Sequence, residues 1–263
     1  MPRLSLINQS GSSGLEVALL GKTRRSACSV WGAQTRFRLR TPRVEQRTPS
    51  ALTARVGPAK IDRVLSYRLL YRLGFTPWDN APGPQLLDRV LDSDSAGAGR
   101  RALDVGCGKG RDAIHLAKKG WEVTAVDLEE RAIGKARERA ADADANVHWI
   151  VGDVTKLGTL ATPPGYSLIY DLGCIQGLPD EAAALAAGGI TSLAGEDATL
   201  LLVAFARGRR MILPPGMDGD HVEALFGPAW RLVGTHDVLQ LSDHKVPPPV
   251  RKARPTAYHL VKA

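Results

Sequence analysis

One segment constrains this chain more than any other: Leu103-Asp104-Val105-Gly106-Cys107-Gly108-Lys109-Gly110-Arg111-Asp112. Its three alternating glycines follow a short apolar run, Ala102 to Val105, and precede a helical pattern from about Arg111 to Lys119 that Gly120 closes. Glycines between a strand and a helix let backbone N–H groups approach a ligand at the helix N-terminus. The alternation then continues. Strand patterns at Trp121–Val126, Val147–Val151, Leu168–Leu172 and Thr199–Phe205 are interleaved with helical ones at Glu129–Ala141 and Asp180–Leu193. The helix at Glu129–Ala141 carries Ala132, Ile133, Ala136 and Ala140 on one face. Such alternation predicts an α/β fold, a doubly wound parallel sheet with helices on both faces. A helix near Asp218–Phe226 leads to strands at Trp230–Leu239 and about Ala257–Val261, joined through Pro247, Pro248 and Pro249. With no helix expected between them, these two strands should pair as an antiparallel C-terminal hairpin.

Acids recur where the strands end. Asp104 lies on the first strand, Asp127 follows the second, Asp153 the third, and Asp171 sits near the end of the fourth. A single Asp at such a place is readily explained as a helix N-cap or loop acid. Four in register with one glycine-rich turn instead line the crevice where open α/β sheets bind ligands. A carboxylate at Asp127 suits both hydroxyls of a ribose.

A dinucleotide fingerprint needs a third glycine at position 111, where Arg111 stands. The Asp-x-Gly-x-Gly-x-Gly pattern of residues 104–110 resembles motif I of the class I S-adenosylmethionine (AdoMet)-dependent methyltransferases. The resemblance spans about residues 61–263 and implies a Rossmann-like, mostly parallel seven-stranded sheet with an antiparallel end. It implies AdoMet as cofactor, held by Asp104, Gly106, Cys107, Gly108, Gly110, Asp127 and Leu128. Asp153 would accept from the adenine amine, with Val154 against the ring. Thr76-Pro77-Trp78-Asp79 and Gly110-Arg111-Asp112 look like the small-molecule branch, which includes thiopurine, tellurite-resistance and heterocyclic-toxin methyltransferases. Trp78 would then lie over the cofactor, and Tyr67 and Tyr71 would belong to a lid helix facing the acceptor, with Gln176 after the fourth strand. Asp171 is the candidate for orienting or deprotonating the acceptor. The expected partner is a small-molecule acceptor: a heterocycle, a phenol or quinone, or a thiol. RNA or protein methylation, a non-catalytic AdoMet-binding role and an NAD-dependent oxidoreductase are the alternatives.

Charge and composition narrow the rest. Residues 1–60 hold eleven Lys and Arg against Glu16 and Glu45, a surplus that exceeds the whole chain's +8 and leaves residues 61–263 at −1. The folded part therefore carries no polyanion footprint, and nucleic acid is expected only through the basic head. Residues 1–57 read as a basic extension, whether disordered, targeting or an interacting arm. Residues 58–263 read as the methyltransferase domain, with lid helices over 58–98 and the core over 99–263. No apolar run approaches the ~18 residues of a membrane span, so no membrane insertion is expected. Cys28, Cys107 and Cys174 form no CxxC pair, and the six histidines have no metal spacing. No metal site is expected. His115 reads as a helix-surface residue and His148 as a strand residue. A cytoplasmic location is expected, or a mitochondrial or plastid one if the head is a transit peptide.

Overall fold

Runs that are apolar at every position become strands buried on both faces, and one-sided runs become the helices that cover them. The computed structural model describes residues 83–91, 100–160, 163–208, 213–241 and 248–263. Its helices are α1 (Gly83–Leu91), α2 (Arg111–Lys118), α3 (Glu130–Asp142), α4 (Asp180–Leu193), α5 (Gly219–Phe226) and α6 (Pro248–Ala253). Its strands are β1 (Arg101–Val105), β2 (Glu122–Asp127), β3 (Val147–Val151), β4 (Tyr166–Leu172), β5 (Ala194–Phe205), β6 (Trp230–Asp237) and β7 (Pro255–Lys262). Short 3-10 turns follow β3, β4 and β6. The expected basic extension, the lid helix bearing Tyr67 and Tyr71, and Trp78 lie outside the described residues.

The seven strands form one sheet in the order β3-β2-β1-β4-β5-β7-β6. β1 through β5 pair in parallel, and β7 runs antiparallel to both β5 and β6. The C-terminal strands thus pair as expected, but the link between them is more than a loop. Pro248 and Pro249 open the short helix α6, because proline's fixed φ and missing N–H suit a helix's first turn. β5 also begins earlier than its apolar run, at Ala194, directly after α4.

Two apolar layers sandwich the sheet. On one face Leu103, Val105, Ile169, Leu200 and Leu202 pack against Ala186 and Ile190 of α4 and Phe226 of α5. On the other, Ala102, Leu168, Tyr170, Leu201 and Val203 pack against Leu86, Leu87 and Val90 of α1 and Leu116 of α2. Alternate residues of each strand thus serve opposite layers. Asp88 ties α1 to α2, with Oδ1 2.7 Å from His115 Nε2 and 3.2 Å from Lys119 Nζ. His115 is therefore a partnered residue of the helix surface, and His148 is an exposed residue of β3. Strand order reverses between β1 and β4, so the crevice opens at their carboxyl ends, where open α/β sheets bind ligands.

Candidate functional site

The loops leaving β1 and β4 meet at this switch point. Gly106, Gly108 and Gly110 have φ of 74°, 56° and 75°, the left-handed region that other residues enter only at a cost. Space adds a second demand at two of them. A Cβ on Gly106 would lie 2.5 Å from Cys174 Cβ, and one on Gly110 would lie 2.3 Å from the Trp149 ring. The hinge is pinned from below by Gly106 and Cys107, whose N–H groups donate to Val126 O at 2.8 and 3.0 Å.

Asp127 closes β2 beside this hinge. Its Oδ2 accepts from Gly108 N–H at 2.8 Å, and its Oδ1 from Glu129 N–H at 2.8 Å. A carboxylate offers about four lone-pair sites, so this one is oriented by the backbone with capacity to spare. Burial raises its pKa, and the two N–H bonds work against that rise. Leu128 follows, 40% exposed, an unusual exposure for a leucine at a strand end. Asp153 caps the turn after β3, with Oδ1 accepting from Thr155 N–H at 2.9 Å and from Thr155 Oγ1 at 2.8 Å. Val154 behind it is buried.

Asp171 is placed differently. It is fully buried, Oδ1 accepts from Gly173 and Cys174 N–H at 2.9 Å each, and Oδ2 accepts from Ile175 N–H at 3.0 Å. Burial pushes its pKa up to about 7 against the pull of those three bonds. In this geometry the carboxyl staples the loop after β4. Gln176 extends the staple, since its Oε1 accepts from Phe205 N–H at 2.8 Å at the end of β5. Burial, then Asp104 and Asp127, holds the Cys107 thiol well above its ordinary range, so it is no thiolate.

Asp104 is 2% exposed and lies beneath the hinge, on the sheet face covered by α1 and α2. Its register partner across β1 and β4 is Tyr170. Sequence reasoning missed Tyr170, because a tyrosine inside an apolar run reads as core. It also left the roles of Arg111 and Asp112 open. Their side chains form a two-pronged pair, Nε to Oδ1 and Nη2 to Oδ2, both at 2.8 Å. Among the described residues no group of three or more His, Cys, Asp or Glu is placed to hold a metal. No described helix is long and apolar enough to cross a membrane.

Residues 102–188, from β1 through most of α4, match the methyltransferase domain family. That stretch, a third of the chain, is similar to methyltransferase domains. Over 102 residues it is 34% identical to the ubiquinone biosynthesis O-methyltransferase of Alkalilimnicola ehrlichii, covering 39% of this chain and 41% of that relative. The chain thus spans about two fifths of that relative's length. Two solved structures share the fold. One is a 1,6-didemethyltoxoflavin-N1-methyltransferase from Burkholderia thailandensis with bound 1,6-didemethyltoxoflavin and S-adenosylhomocysteine. It has a TM-score of 0.59 at 19% identity, over 79% of this chain and 92% of that one. The other is a TehB-like methyltransferase from Corynebacterium glutamicum, with a TM-score of 0.53 at 22% identity, over 76% and 96%. The domain fits its cofactor on its own geometry: a hinge kept free of side chains, and an oriented carboxylate with unused lone pairs beside it.

Proposed function

We propose that this chain transfers the methyl group of AdoMet to a small-molecule acceptor, a heterocycle, a phenol or quinone, or a thiol. The observation that carries the reading is the Asp127 carboxylate, fixed to the hinge at Gly108 yet keeping acceptor capacity for the two hydroxyls of a ribose. Leu128 and Val154 supply apolar surface for the adenine, and Asp153 Oδ2 faces no partner in its own turn. The small-molecule class is supported by the heterocycle bound in the Burkholderia enzyme and by the near-neutral charge of residues 61–263.

The cofactor supplies a methyl group already activated by its sulfonium charge. What remains for the protein is alignment, and holding two reactants in line is worth on the order of 7–11 kcal/mol of barrier. Asp171 contributes to that alignment by fixing the loop after β4, whose Cys174 packs against the hinge at Gly106. Proton removal from an acceptor at Asp171 would have to use the one lone-pair site on Oδ2 that its three N–H bonds leave.

Calorimetry with AdoMet and with NAD, followed by methyl-transfer assays against heterocycles, phenols, thiols and tRNA, tests the proposal. AdoMet binding with turnover of a small acceptor is expected. Tighter NAD binding would point to a dehydrogenase, and turnover of tRNA alone would remove the small-molecule class.

A further inference from the structure

One side-chain amide beyond the fourth strand is held by its oxygen end alone. Gln176 is 7% exposed, and its Oε1 accepts from Phe205 N–H at 2.8 Å, reaching from the loop after β4 to the end of β5. A backbone N–H can bond only the oxygen of an amide, so this contact fixes which way the group is turned. The Nε2 end therefore faces away from β5. It lies against Gly173, where an added Cβ would come 2.8 Å from Nε2 and where φ is 86°. The next residue, Cys174, packs on Gly106 of the hinge. The amide thus runs from the end of β5 toward the switch point between β4 and β1, with its donors leading.

Those donors are unspent. The carboxylate of the same loop, Asp171, is engaged by the N–H groups of Gly173, Cys174 and Ile175. Gln176 Nε2 makes no hydrogen bond among the described residues. Nor is it sealed from solvent, as Asp104 Oδ2 and the Tyr170 hydroxyl are, so it opens toward the crevice. A side chain buried, oriented by its backbone partner and left with two free N–H groups beside a ligand crevice is built to receive an acceptor atom.

We propose that Gln176 is a specificity-determining residue for the methyl acceptor, its Nε2 donating to a ring oxygen or ring nitrogen, so that oxo- and hydroxy-substituted rings are selected over thiols. This rests on the AdoMet reading above and narrows its acceptor classes. Oxygen and aromatic nitrogen carry good lone pairs for an amide N–H, whereas sulfur is a weak acceptor. A thiol in this seat leaves both donors unpaired, and a site that hydrogen-bonds its substrate rejects analogues that lack the partner. The staple to Phe205 keeps the amide from turning its oxygen to the ligand instead.

The test uses the full chain loaded with S-adenosylhomocysteine and four acceptor probes: lumazine, 4-hydroxyquinoline, catechol and thiophenol. In calorimetry at least one of the first three should bind about tenfold or more tightly than thiophenol. Gln176→Glu keeps an oxygen for Phe205 N–H and, ionised at about pH 8.5, exchanges the donors for a second acceptor. It should leave S-adenosylhomocysteine affinity unchanged and weaken the favoured probe about tenfold, the scale of one lost hydrogen bond. Gln176→Met, similar in length and without a donor, should do the same and covers a glutamate that keeps its proton. In turnover the loss should fall on KM rather than kcat, the mark of uniform binding. A purely structural role would instead weaken all four probes alike. Thiophenol binding best, none of the three ring probes binding, or unchanged probe affinity in both variants overturns the proposal and leaves the AdoMet reading in place. Failure of S-adenosylhomocysteine to bind removes the reading and the proposal together. If neither variant folds, magnetic resonance of isotope-labelled glutamine in the native chain decides: one side-chain amide should shift with the favoured probe, and no shift overturns the seat.

Discussion

Asp127 and Asp171 carry the same sequence signature, an acid near the end of a parallel strand, and the fold uses them in opposite ways. Asp127 is half-buried and accepts two backbone N–H bonds, one on each oxygen, the first from the hinge and the second from the start of the next helix. Asp171 is fully buried and accepts three, all from residues 173–175 of its own loop. Out of about four lone-pair sites, one acid keeps half for a ligand and the other is nearly saturated. β4 is flanked by β1 and β5 with apolar layers above and below, so an anion there survives only if the chain itself solvates it. The lesson is that an acid's position in the alternating pattern marks the crevice, while its backbone partners decide whether it grips a ligand or the loop.

That contrast is most severely tested at Asp171. Asp171→Ala leaves three N–H groups facing an apolar void, and a loss of roughly 3–6 kcal/mol in stability is expected. Urea denaturation measures it, and an unchanged midpoint would return Asp171 to the acceptor side of the site. The pH dependence sharpens the point. The folded carboxyl, with a pKa raised from 3.8 to about 7, binds its proton more tightly than the unfolded one. Its contribution is fully present below about pH 4 and is lost as pH rises toward 7, so the deficit of Asp171→Ala should be greater at pH 5 than at pH 8. A deficit that grows with pH would break this assignment.

The two corners also touch, and Gly106 is the point of contact. Gly106→Ala puts a residue at a φ of 74° and its Cβ 2.5 Å from Cys174 Cβ. The left-handed backbone costs about 1–2 kcal/mol and the overpacking about 1–3 kcal/mol, so a loss of about 2–5 kcal/mol follows. Cys174→Gly in the same chain removes the crowding and should recover the second part alone. A double variant no more stable than Gly106→Ala would show that the loops do not press on one another.

Much of this was legible before any coordinates, and what was not shares one cause. The sheet, the hinge and Asp127 follow from local periodicity, since a strand, a glycine turn and an acid are fixed within about twenty residues of chain. Partnerships made across the sheet are not local. Tyr170 gains meaning only through its register with Asp104, sixty-six residues earlier, and Gln176 only through Phe205, twenty-nine residues later. Asp171 was found, but its partners were not, because they are backbone groups, which no residue type announces. The helix α6 was hidden by its own prolines, which punctuate loops and open helices equally well.

On the ligand side, Asp127→Ala should weaken AdoMet by about 1.5–3 kcal/mol, or roughly 10- to 150-fold in Kd, the scale of hydrogen bonds to a charged group. Its effect on stability should be smaller than that of Asp171→Ala, because it releases two N–H groups rather than three, and that of Glu129 lies on a half-exposed residue that water can reach. Calorimetry and denaturation on the same variant separate the two. Unchanged affinity would put the ribose elsewhere and leave the two acids alike.

The smallest effect is expected from Cys107, which sits between the corners. Its thiol is neutral, held up by burial and by Asp104 and Asp127, and its Sγ lies 3.9 Å from Gly108 O, a weak contact. On the proposed reading the hinge backbone, rather than this side chain, would meet the cofactor, and any side chain at this position leaves that backbone in place. Cys107→Ala should therefore change AdoMet affinity by less than about twofold, below ~0.5 kcal/mol, the range of substitutions that break no named interaction. A loss on the scale of Asp127→Ala would mean that sulfur, rather than the backbone and the β2 acid, supplies the grip at the hinge.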